Sequence, residues 1–239
     1  MLRMREPRLD NPIWHALNGP HQHWAQGQGA LLWYPQDVAP FFAIPSPDTP
    51  LEPDLPQRLG LRGNAYLMGV LPNDWPRGWR VLSRSEVVQM TFAGGTPLWE
   101  PSAHVLLGPA DREAMNGLAA IAFPDFFRAR SAELGTFIGI SERGRLLSMA
   151  GERMALPGMQ ELSGICTHPD FTGRGYAGGL TRALLRRHRE LGLHSFLHVS
   201  ASNLGARRLY ESVGFAAVAT LPIVQIEPPE QSSTRPIGH

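Results

Sequence analysis

The sequence predicts a mixed α/β (α+β) fold, with a largely antiparallel central sheet flanked by helices and a smaller irregular N-terminal α/β region. Short apolar runs bounded by glycine and proline recur along the chain, which is typical of strands. Two of these runs, Met159–Thr167 and His194–Ser200, enclose a helical pattern. The 239 residues, 43% of them hydrophobic and 18% charged, supply enough apolar surface for a sizeable core.

The first hundred residues are predicted to be irregular, because proline is dense between Pro35 and Pro56. Short strands are predicted at residues 30–34, 64–70 and 79–92. Residues 93–97, Ala-Gly-Gly-Thr-Pro, are the predicted linker. It separates an N-terminal region, residues 1–95, from a C-terminal domain, residues 101–239.

Beyond the linker the pattern becomes regular. Residues 142–144, Glu-Arg-Gly, predict a hairpin turn, and Gly214 predicts a left-handed cap at the end of the last helix. Strands are predicted at 103–107, 136–141, 145–154, 159–167, 194–200 and 215–226, and helices at 109–123, 126–134, 176–191 and 204–213.

Composition excludes several functions. Twenty-two basic and twenty-one acidic residues give a net charge of +1, which excludes the electrostatic footprint of a nucleic-acid-binding protein. Every basic residue is arginine, so a Schiff-base lysine and a Walker-type lysine are excluded. The single Cys166 excludes an internal disulfide and multi-cysteine zinc sites, and His21 and His23 lack a third ligand, so no metal is expected.

The N-terminal sequence also bears on the compartment. It is charged and leads into no apolar core, unlike a signal peptide. Residues 11–36 lack charged side chains, but glycine, proline, glutamine and histidine interrupt them, so they predict no membrane span. The expectation is a cytoplasmic protein with no membrane partner.

A glycine-rich loop after Met159–Thr167 is the most informative feature. Residues 172–177, Thr-Gly-Arg-Gly-Tyr-Ala, open a helix, where free backbone N–H groups favour a phosphate. An ordinary tight connection is the alternative. The spacing Gly-x-Gly-x-x-Gly from Gly173 also fits the fingerprint of a dinucleotide-binding fold. That interpretation is rejected, because residues 168–172 separate the glycines from the strand and the next strand ends without a carboxylate.

Two segments together resemble the GNAT superfamily of acyl-CoA-dependent N-acyltransferases. Residues 172–177, preceded by Ile-Cys-Thr-His-Pro-Asp at 165–170, resemble its pyrophosphate motif, Q/R-x-x-G-x-G/A. Residues 203–215, Asn-Leu-Gly-Ala-Arg-Arg-Leu-Tyr-Glu-Ser-Val-Gly-Phe, resemble its second signature, N-x-x-A-x-x-L-Y-x-x-x-G-F. The motif's first position, usually Gln or Arg, is Thr172, which weakens the expected coenzyme contact.

The resemblance covers roughly residues 101–226. The chain is most similar to the branch in which an N-terminal region precedes the acyltransferase module, as in glycine-N-acyltransferase-like proteins. Whether residues 1–95 are a divergent half-GNAT domain is left open.

The resemblance implies acetyl-CoA, or another small acyl-CoA, as the donor. Backbone groups of Ile165 and Thr167 would pair with its pantetheine arm, and Arg174 would assist the loop unless it is simply solvated. Asn203 would hydrogen-bond the coenzyme, with a plain helix cap as the alternative. The implied coenzyme-binding residues are Ile165, Cys166, Thr167, Thr172, Gly173, Arg174, Gly175, Tyr176, Ala177, Gly178 and Asn203.

Two catalytic roles are implied as well. Tyr210 occupies the position of the general acid that protonates the leaving thiolate, although its helical spacing also predicts core packing. Relative to the glycine loop, Glu161 matches the general-base glutamate of the family's histone-acetyltransferase branch. Glu152 on the neighbouring strand, or a chain of water molecules, is the alternative base, and either carboxylate could be a plain exposed side chain.

The resulting hypothesis is an N-acetyltransferase in which an amine attacks the thioester directly. The alternative is a non-catalytic acyl-CoA-binding regulatory module, favoured only by Thr172. The acceptor is expected to be a small-molecule or peptide amine, bound between the N-terminal region, residues 123–134 and the coenzyme cleft. Monomer and homodimer both remain open.

Overall fold

The computed structural model describes residues 6–52, 64–94, 104–123 and 126–227. These residues form four α-helices: α1 (Pro12–Leu17), α2 (Arg112–Ala122), α3 (Tyr176–Glu190) and α4 (Leu204–Val213). They form eleven strands: β1 (Gln26–Gln28), β2 (Leu31–Trp33), β3 (Phe42–Ala43), β4 (Ala65–Met68), β5 (Arg80–Phe92), β6 (Val105–Leu107), β7 (Phe137–Glu142), β8 (Arg145–Leu156), β9 (Met159–Thr167), β10 (His194–Ser200) and β11 (Phe215–Glu227).

Eight strands make one sheet in the order β4–β11–β5–β10–β9–β8–β7–β6, and β1, β2 and β3 make a second, small sheet. Within the large sheet, β9 and β10 run parallel and the other neighbours run antiparallel. A parallel pair needs a crossover connection, and α3 supplies it. The predicted mixed, largely antiparallel fold is confirmed.

The N-terminal region contributes two strands to this sheet. β5 lies between β10 and β11, and β11 pairs with it along its whole length. β4 covers the outer side of β11. The predicted boundary between residues 1–95 and 101–239 therefore divides the strands of one sheet. That the two regions are separate domains stays a prediction. Residues 95–97 of the predicted linker lie outside the described residues.

Both faces of the sheet's centre are covered. On one face, α3 and α4 bury an apolar cluster with the sheet: Val88, Met90, Leu162, Leu180, Leu184, Leu197, Val199, Tyr210 and Val213. On the other face, α1 and the segment after it bury a second cluster: Leu9, Ile13, Leu17, Tyr34, Phe41, Met154, Phe196, Leu221 and Ile223. A ligand can therefore reach the central strands where these layers part.

Most predicted elements are present. β9, β10 and α4 have the predicted bounds, and Gly214 ends α4 at φ 107°. Glu142 pairs with Arg145 across a two-residue turn in which Arg143 and Gly144 have positive φ, as a tight hairpin requires.

The prediction of a helix at 126–134 is wrong for most of that segment. Only Ser131–Leu134 is helical, as a single 3₁₀ turn. The Arg128 N–H donates to the Ser131 hydroxyl at 2.7 Å, and that hydroxyl donates to the Val38 carbonyl. Side-chain bonds of this kind compete with helical backbone bonds, so an α-helix does not form.

Candidate active site

The two parallel strands β9 and β10 part at the centre of the sheet. Their pairing ends at Leu162 and Leu197. Beyond that point β9 continues beside β8 through Thr167, while β10 continues beside β5 through Ser200. The edges that face each other across the gap therefore offer backbone groups to a ligand, and a cavity of about 480 Å³ lies there.

A β-bulge at Gly164 accompanies this separation. Ser163 pairs with Gly151 and Cys166 with Met149, so two β9 residues stand opposite one β8 residue. Gly164 has φ +62°, and a Cβ there would lie 2.9 Å from the Phe137 ring. Bulges bend a strand and are frequent beside active sites. This one re-aims the end of β9 beside the cavity.

The cavity has two ends. Asn203, Ala206 and Tyr210 line it on the side of α4. Toward the N-terminal region the lining is largely apolar and comprises Phe41, Met68, Val87, Phe123, Phe126 and Ile223, with Arg153 and Ser85 among the polar groups. The lining includes Phe41 and Met68 from the cluster on one face of the sheet and Val199 and Tyr210 from the cluster on the other, so the gap connects the two faces.

The glycine loop leads into the N-terminus of α3. Gly173 and Gly175 have φ of 76° and 77°, and no side chain caps the helix. A Cβ at either glycine would meet nothing within 4 Å. The first N–H groups of an α-helix have no intrahelical acceptor, so this open terminus suits an anion. The arrangement fits a phosphate group.

The side chains of this loop mainly hold it in place. The Thr172 hydroxyl donates to the Pro169 carbonyl at 3.1 Å, so the atypical first residue of the motif closes the preceding turn. The Arg174 guanidinium lies over the Phe171 ring at 4.9 Å. Tyr176, Ala177 and Gly178 form the first turn of α3, where a Cβ on Gly178 would lie 3.3 Å from Leu209.

Changing Gly175 to alanine is expected to weaken coenzyme A binding about tenfold, because a methyl group would occupy the open approach to the helix N-terminus. Isothermal titration with coenzyme A measures this. Gly144→Ala is the matched control, since Gly144 also has positive φ and open space around it. It should cost similar backbone strain and leave the affinity unchanged; equal affinities of both variants and wild type would contradict the assignment.

Asn203 and Tyr210 both have the structural role that was their alternative, a helix cap for Asn203 and core packing for Tyr210. Both also line the cavity. The Asn203 carboxamide oxygen accepts from the Ala206 N–H at 3.0 Å, which makes it the cap of α4. The Tyr210 side chain is packed edge-on against Phe215, and the residue is 8% exposed. Burial, followed by the nearby Cys166 thiol, raises the pKa of Tyr210 to about 12. Its hydroxyl stays protonated at neutral pH and can donate a proton.

Cys166 lies in the cavity wall beside the bulge. Burial raises the pKa of its thiol to about 12, so it is a weak nucleophile at neutral pH. Its carbonyl accepts from the Ser148 hydroxyl at 2.8 Å. Ile165 and Thr167, the predicted backbone partners of the pantetheine arm, line the cavity on either side of it.

Glu161 is fully buried and lies behind the cavity wall. Its carboxylate accepts two hydrogen bonds from Arg153, at 2.9 and 2.7 Å, one from the Met154 N–H at 3.1 Å and one from His198 at 2.8 Å. Burial by itself raises the pKa of Glu161, but the Arg153 guanidinium and the His198 bond outweigh it and hold the pKa at about 2. The general-base role stays a prediction, whereas these contacts favour a positioning role.

His198 connects this ion pair to the N-terminal region. The Gln89 amide nitrogen donates to the Leu9 carbonyl at 2.8 Å and lies 3.0 Å from the His198 Nε2 atom. An amide N–H₂ group can only donate, so Nε2 accepts and the Nδ1–H donates to Glu161. Both ring nitrogens are therefore engaged.

Glu152, the alternative base, lies outside the cavity wall. Its carboxylate accepts from the Thr136 N–H at 2.9 Å and lies 3.1 Å from the His188 Nε2 atom. Burial raises the pKa of Glu152, and the bonds from His188 and Thr136 more than offset this, so that the pKa is lowered. The carboxylate is buried and is occupied by these contacts.

Sequence reasoning missed Arg153, His198, Phe41 and Met68 in the cavity wall. No local motif surrounds them. The prediction that β8 and β9 are neighbouring strands could have identified Arg153 and Glu161 as an oppositely charged pair. The contribution of Phe41 and Met68 depends on contacts between residues far apart in the chain.

Among residues 6–52, 64–94, 104–123 and 126–227, no group of three or more His, Cys, Asp or Glu side chains is arranged to hold a metal ion. In the same residues, no helix has the length and apolar character needed to cross a membrane.

The comparisons with known proteins agree with this geometry. The sequence model of the FR47-like protein family matches residues 137–221. A GNAT-family protein from Novosphingobium aromaticivorans, described as an acetyltransferase, is 32% identical with a TM-score of 0.84, over 95% of this chain and 100% of that one. No curated protein sequence matches this chain.

Two more distant structures share the fold. A GCN5-related N-acetyltransferase from Kribbella flavida is 18% identical with a TM-score of 0.59, over 94% of this chain and 96% of that one. A GCN5-related N-acetyltransferase-like protein from Streptococcus suis is 13% identical with a TM-score of 0.58, over 92% and 96%. At these identities the likeness concerns the fold alone.

The fold, shared over nearly the whole chain with a structure described as an acetyltransferase, defines the class of this protein as the acetyltransferases. The sequence identity of 32% to the Novosphingobium aromaticivorans protein, over 95% of this chain, shows the family. This chain belongs to the GNAT superfamily of acetyltransferases.

Proposed function

We propose that the chain transfers an acetyl group, or another small acyl group, from acyl-CoA to an amine by direct attack. The observation that carries this proposal is the cavity between β9 and β10, which joins the α4 side of the sheet to an apolar end on the other face. A donor bound on one side and an acceptor on the other would meet in the gap.

The residues present fit a coenzyme A molecule. The first turn of α3 offers N–H groups to the pyrophosphate, and Arg174 stands beside it. The free edges of β9 and β10 offer backbone groups to an extended arm, as an added strand would use them. Asn203 lies in the cavity wall next to that path.

Acyl-CoA supplies the thioester carbonyl and a thiolate that must be protonated. Backbone N–H groups of β9 near Gly164 are proposed to stabilise the developing oxyanion. Tyr210 is proposed as the general acid, because its hydroxyl remains protonated and no described residue hydrogen-bonds to it. Tyr210 would then deliver its proton to the departing sulfur.

The amine must lose a proton before it attacks. We assign that proton to water in the cavity, because the carboxylates of Glu161 and Glu152 are buried and fully engaged. Glu161 is proposed as a positioning residue that fixes Arg153 and His198 in the cavity wall. A carboxylate with a pKa of about 2 is too weak a base to take the proton directly.

The finer assignments are proposals too. The glycine-N-acyltransferase-like branch agrees with the presence of an N-terminal region that completes the sheet. A cytoplasmic location and the absence of nucleic-acid and membrane partners rest on composition and on the N-terminal sequence. Monomer and homodimer both remain open. A non-catalytic acyl-CoA-binding module is less favoured, because it would not require the Tyr210 hydroxyl in the cavity.

Coenzyme A at about 100 times its dissociation constant is expected to stabilise the chain by about 2.7 kcal/mol, since it binds the folded state alone. Thermal melts with coenzyme A, dephospho-coenzyme A and NAD measure this. NAD should have little effect, and stabilisation by NAD without coenzyme A would overturn the proposal. Release of free thiol from acetyl-CoA in the presence of amines then separates an enzyme from a binding module.

A further inference from the structure

We propose that the acceptor is an amine that carries a carboxylate and an apolar side chain of about aromatic size, and that Arg153 binds the carboxylate. This inference rests on the proposed acyl transfer and names the substrate class of that same cavity. It is carried by two features of the end that faces the N-terminal region.

The first feature is the apolar surface of that end. Phe41 and Met68 from the N-terminal region are each 2% exposed, and Ile223 of β11 lies beside them. The Phe126 ring is stacked on Phe41 with their centroids 6.0 Å apart, and it is only partly buried. All four residues line the cavity. Such a surface favours an apolar acceptor body, because burying that body removes apolar area from water.

The second feature is an available donor on Arg153. Its Nε and Nη2 atoms bond Glu161, and its guanidinium is packed over the Phe41 ring at 5.0 Å. Within the described part of the chain, no acceptor is bonded to Nη1. The side chain is 15% exposed and lines the cavity. We infer that its unbonded N–H groups are the ones that a ligand meets there. A guanidinium N–H in such a site calls for an oxygen acceptor.

The unused N–H donors of Arg153 favour a carboxylate as that acceptor. Arg153 and Glu86 are the charged side chains of the cavity wall within the described residues. Glu86 is exposed, and its carbonyl accepts from the Ala201 N–H just before α4. The Glu161 carboxylate has no free position. A guanidinium carries five N–H donors and can hold a second carboxylate beside Glu161, and such charge-assisted bonds are the stronger kind.

An amine panel tests the class directly in the wild-type protein. L-phenylalanine, L-phenylalaninamide, phenethylamine and L-serine are incubated with acetyl-CoA while free thiol is followed. Phenylalanine should exceed both phenethylamine and phenylalaninamide about tenfold in kcat/KM, because only it offers the carboxylate. It should also exceed serine, which lacks the apolar body, and it should raise the melting temperature of the coenzyme A complex.

Arg153→Lys tests the residue. Lysine keeps the positive charge beside Glu161 but lacks the planar fork, so the preference for phenylalanine over phenethylamine should fall to within about threefold. Arg130→Lys is the matched control, because Arg130 lies on the surface in ion pairs with Asp37 and Glu133. That control should keep the tenfold preference.

The outcomes are distinguishable. Equal rates with phenylalanine and phenethylamine, or a preference that survives Arg153→Lys, would overturn the acceptor inference. The acceptor inference would also be overturned if no amine of the panel were acetylated while coenzyme A still stabilised the chain. That result would leave the proposed coenzyme site standing. Failure of coenzyme A to stabilise the chain overturns the proposed function, and the acceptor inference with it.

Discussion

Replacing Tyr210 by phenylalanine is expected to lower kcat about 100-fold while the KM for the acyl donor stays nearly constant. General-acid catalysis usually contributes about 10²–10⁴-fold, and a thiolate is a good enough leaving group to place this step at the lower end. Losing an interaction made only in the transition state lowers kcat and kcat/KM together. Steady-state thiol release with an accepted amine measures both constants.

The Tyr210→Phe variant is expected to remove the hydroxyl without disturbing the packing of the ring. No described residue hydrogen-bonds to the Tyr210 hydroxyl, and the ring keeps its packing against Phe215, so the melting temperature should stay close to the wild-type value. Tyr34→Phe is the matched control, because the Tyr34 hydroxyl bonds the buried His21 outside the cavity wall. It should lower stability by about 1 kcal/mol and leave kcat unchanged. A wild-type kcat for Tyr210→Phe would make Tyr210 a packing residue.

Replacing Glu161 by alanine is expected to cost about 3–5 kcal/mol of unfolding free energy, because the Arg153 guanidinium would stay inside the protein without its counter-charge. Chemical denaturation of both proteins measures the difference. Glu133→Ala is the control: Glu133 also bonds arginine but lies on the surface, where solvent screens the pair, so its loss should matter far less. Similar losses in the two variants would contradict the assignment of a buried ion pair.

The pH dependence of unfolding gives a second readout for Glu161. Its pKa is about 2 in the folded state, against an ordinary value of 4.5. A lowered folded-state pKa contributes stability above pH 4.5, and that contribution is lost as the pH falls from about 4.5 to 2. The Glu161→Gln variant should show a flatter stability profile in this window than the wild type. A profile parallel to the wild type would show that Glu161 is not held ionised by its partners.

The glycine loop and the start of α3 are predictable from sequence because they are local features. Gly173 and Gly175 adopt positive φ within one short loop, and the helix that follows begins where the pattern predicts. The same holds for Gly214, which ends α4 as predicted. In each case the residues that set the backbone conformation are neighbours in the chain, so the spacing of residue types carries the information.

Glu161 shows where this reasoning ends. Its place on β9 is predictable, but the hydrogen bonds that occupy it come from Arg153 on β8 and His198 on β10. Whether a strand carboxylate faces solvent, substrate or a buried guanidinium depends on burial and on partners from other elements. Those partners, and therefore the low pKa, cannot be read from the residues around Glu161.

The mixed sheet, the glycine loop before α3 and the two signatures of the superfamily are all recognisable in the amino-acid sequence. Short-range periodicity, glycine chemistry and the order of motifs are properties of contiguous residues. The position of β5 from the N-terminal region, between β10 and β11, is visible only in the folded chain. The same is true of Phe41 and Met68, which line the cavity together with Arg153. Strand order and cavity walls arise from contacts between residues far apart in the chain, where the burial of apolar surface selects one arrangement, and no local pattern records that choice.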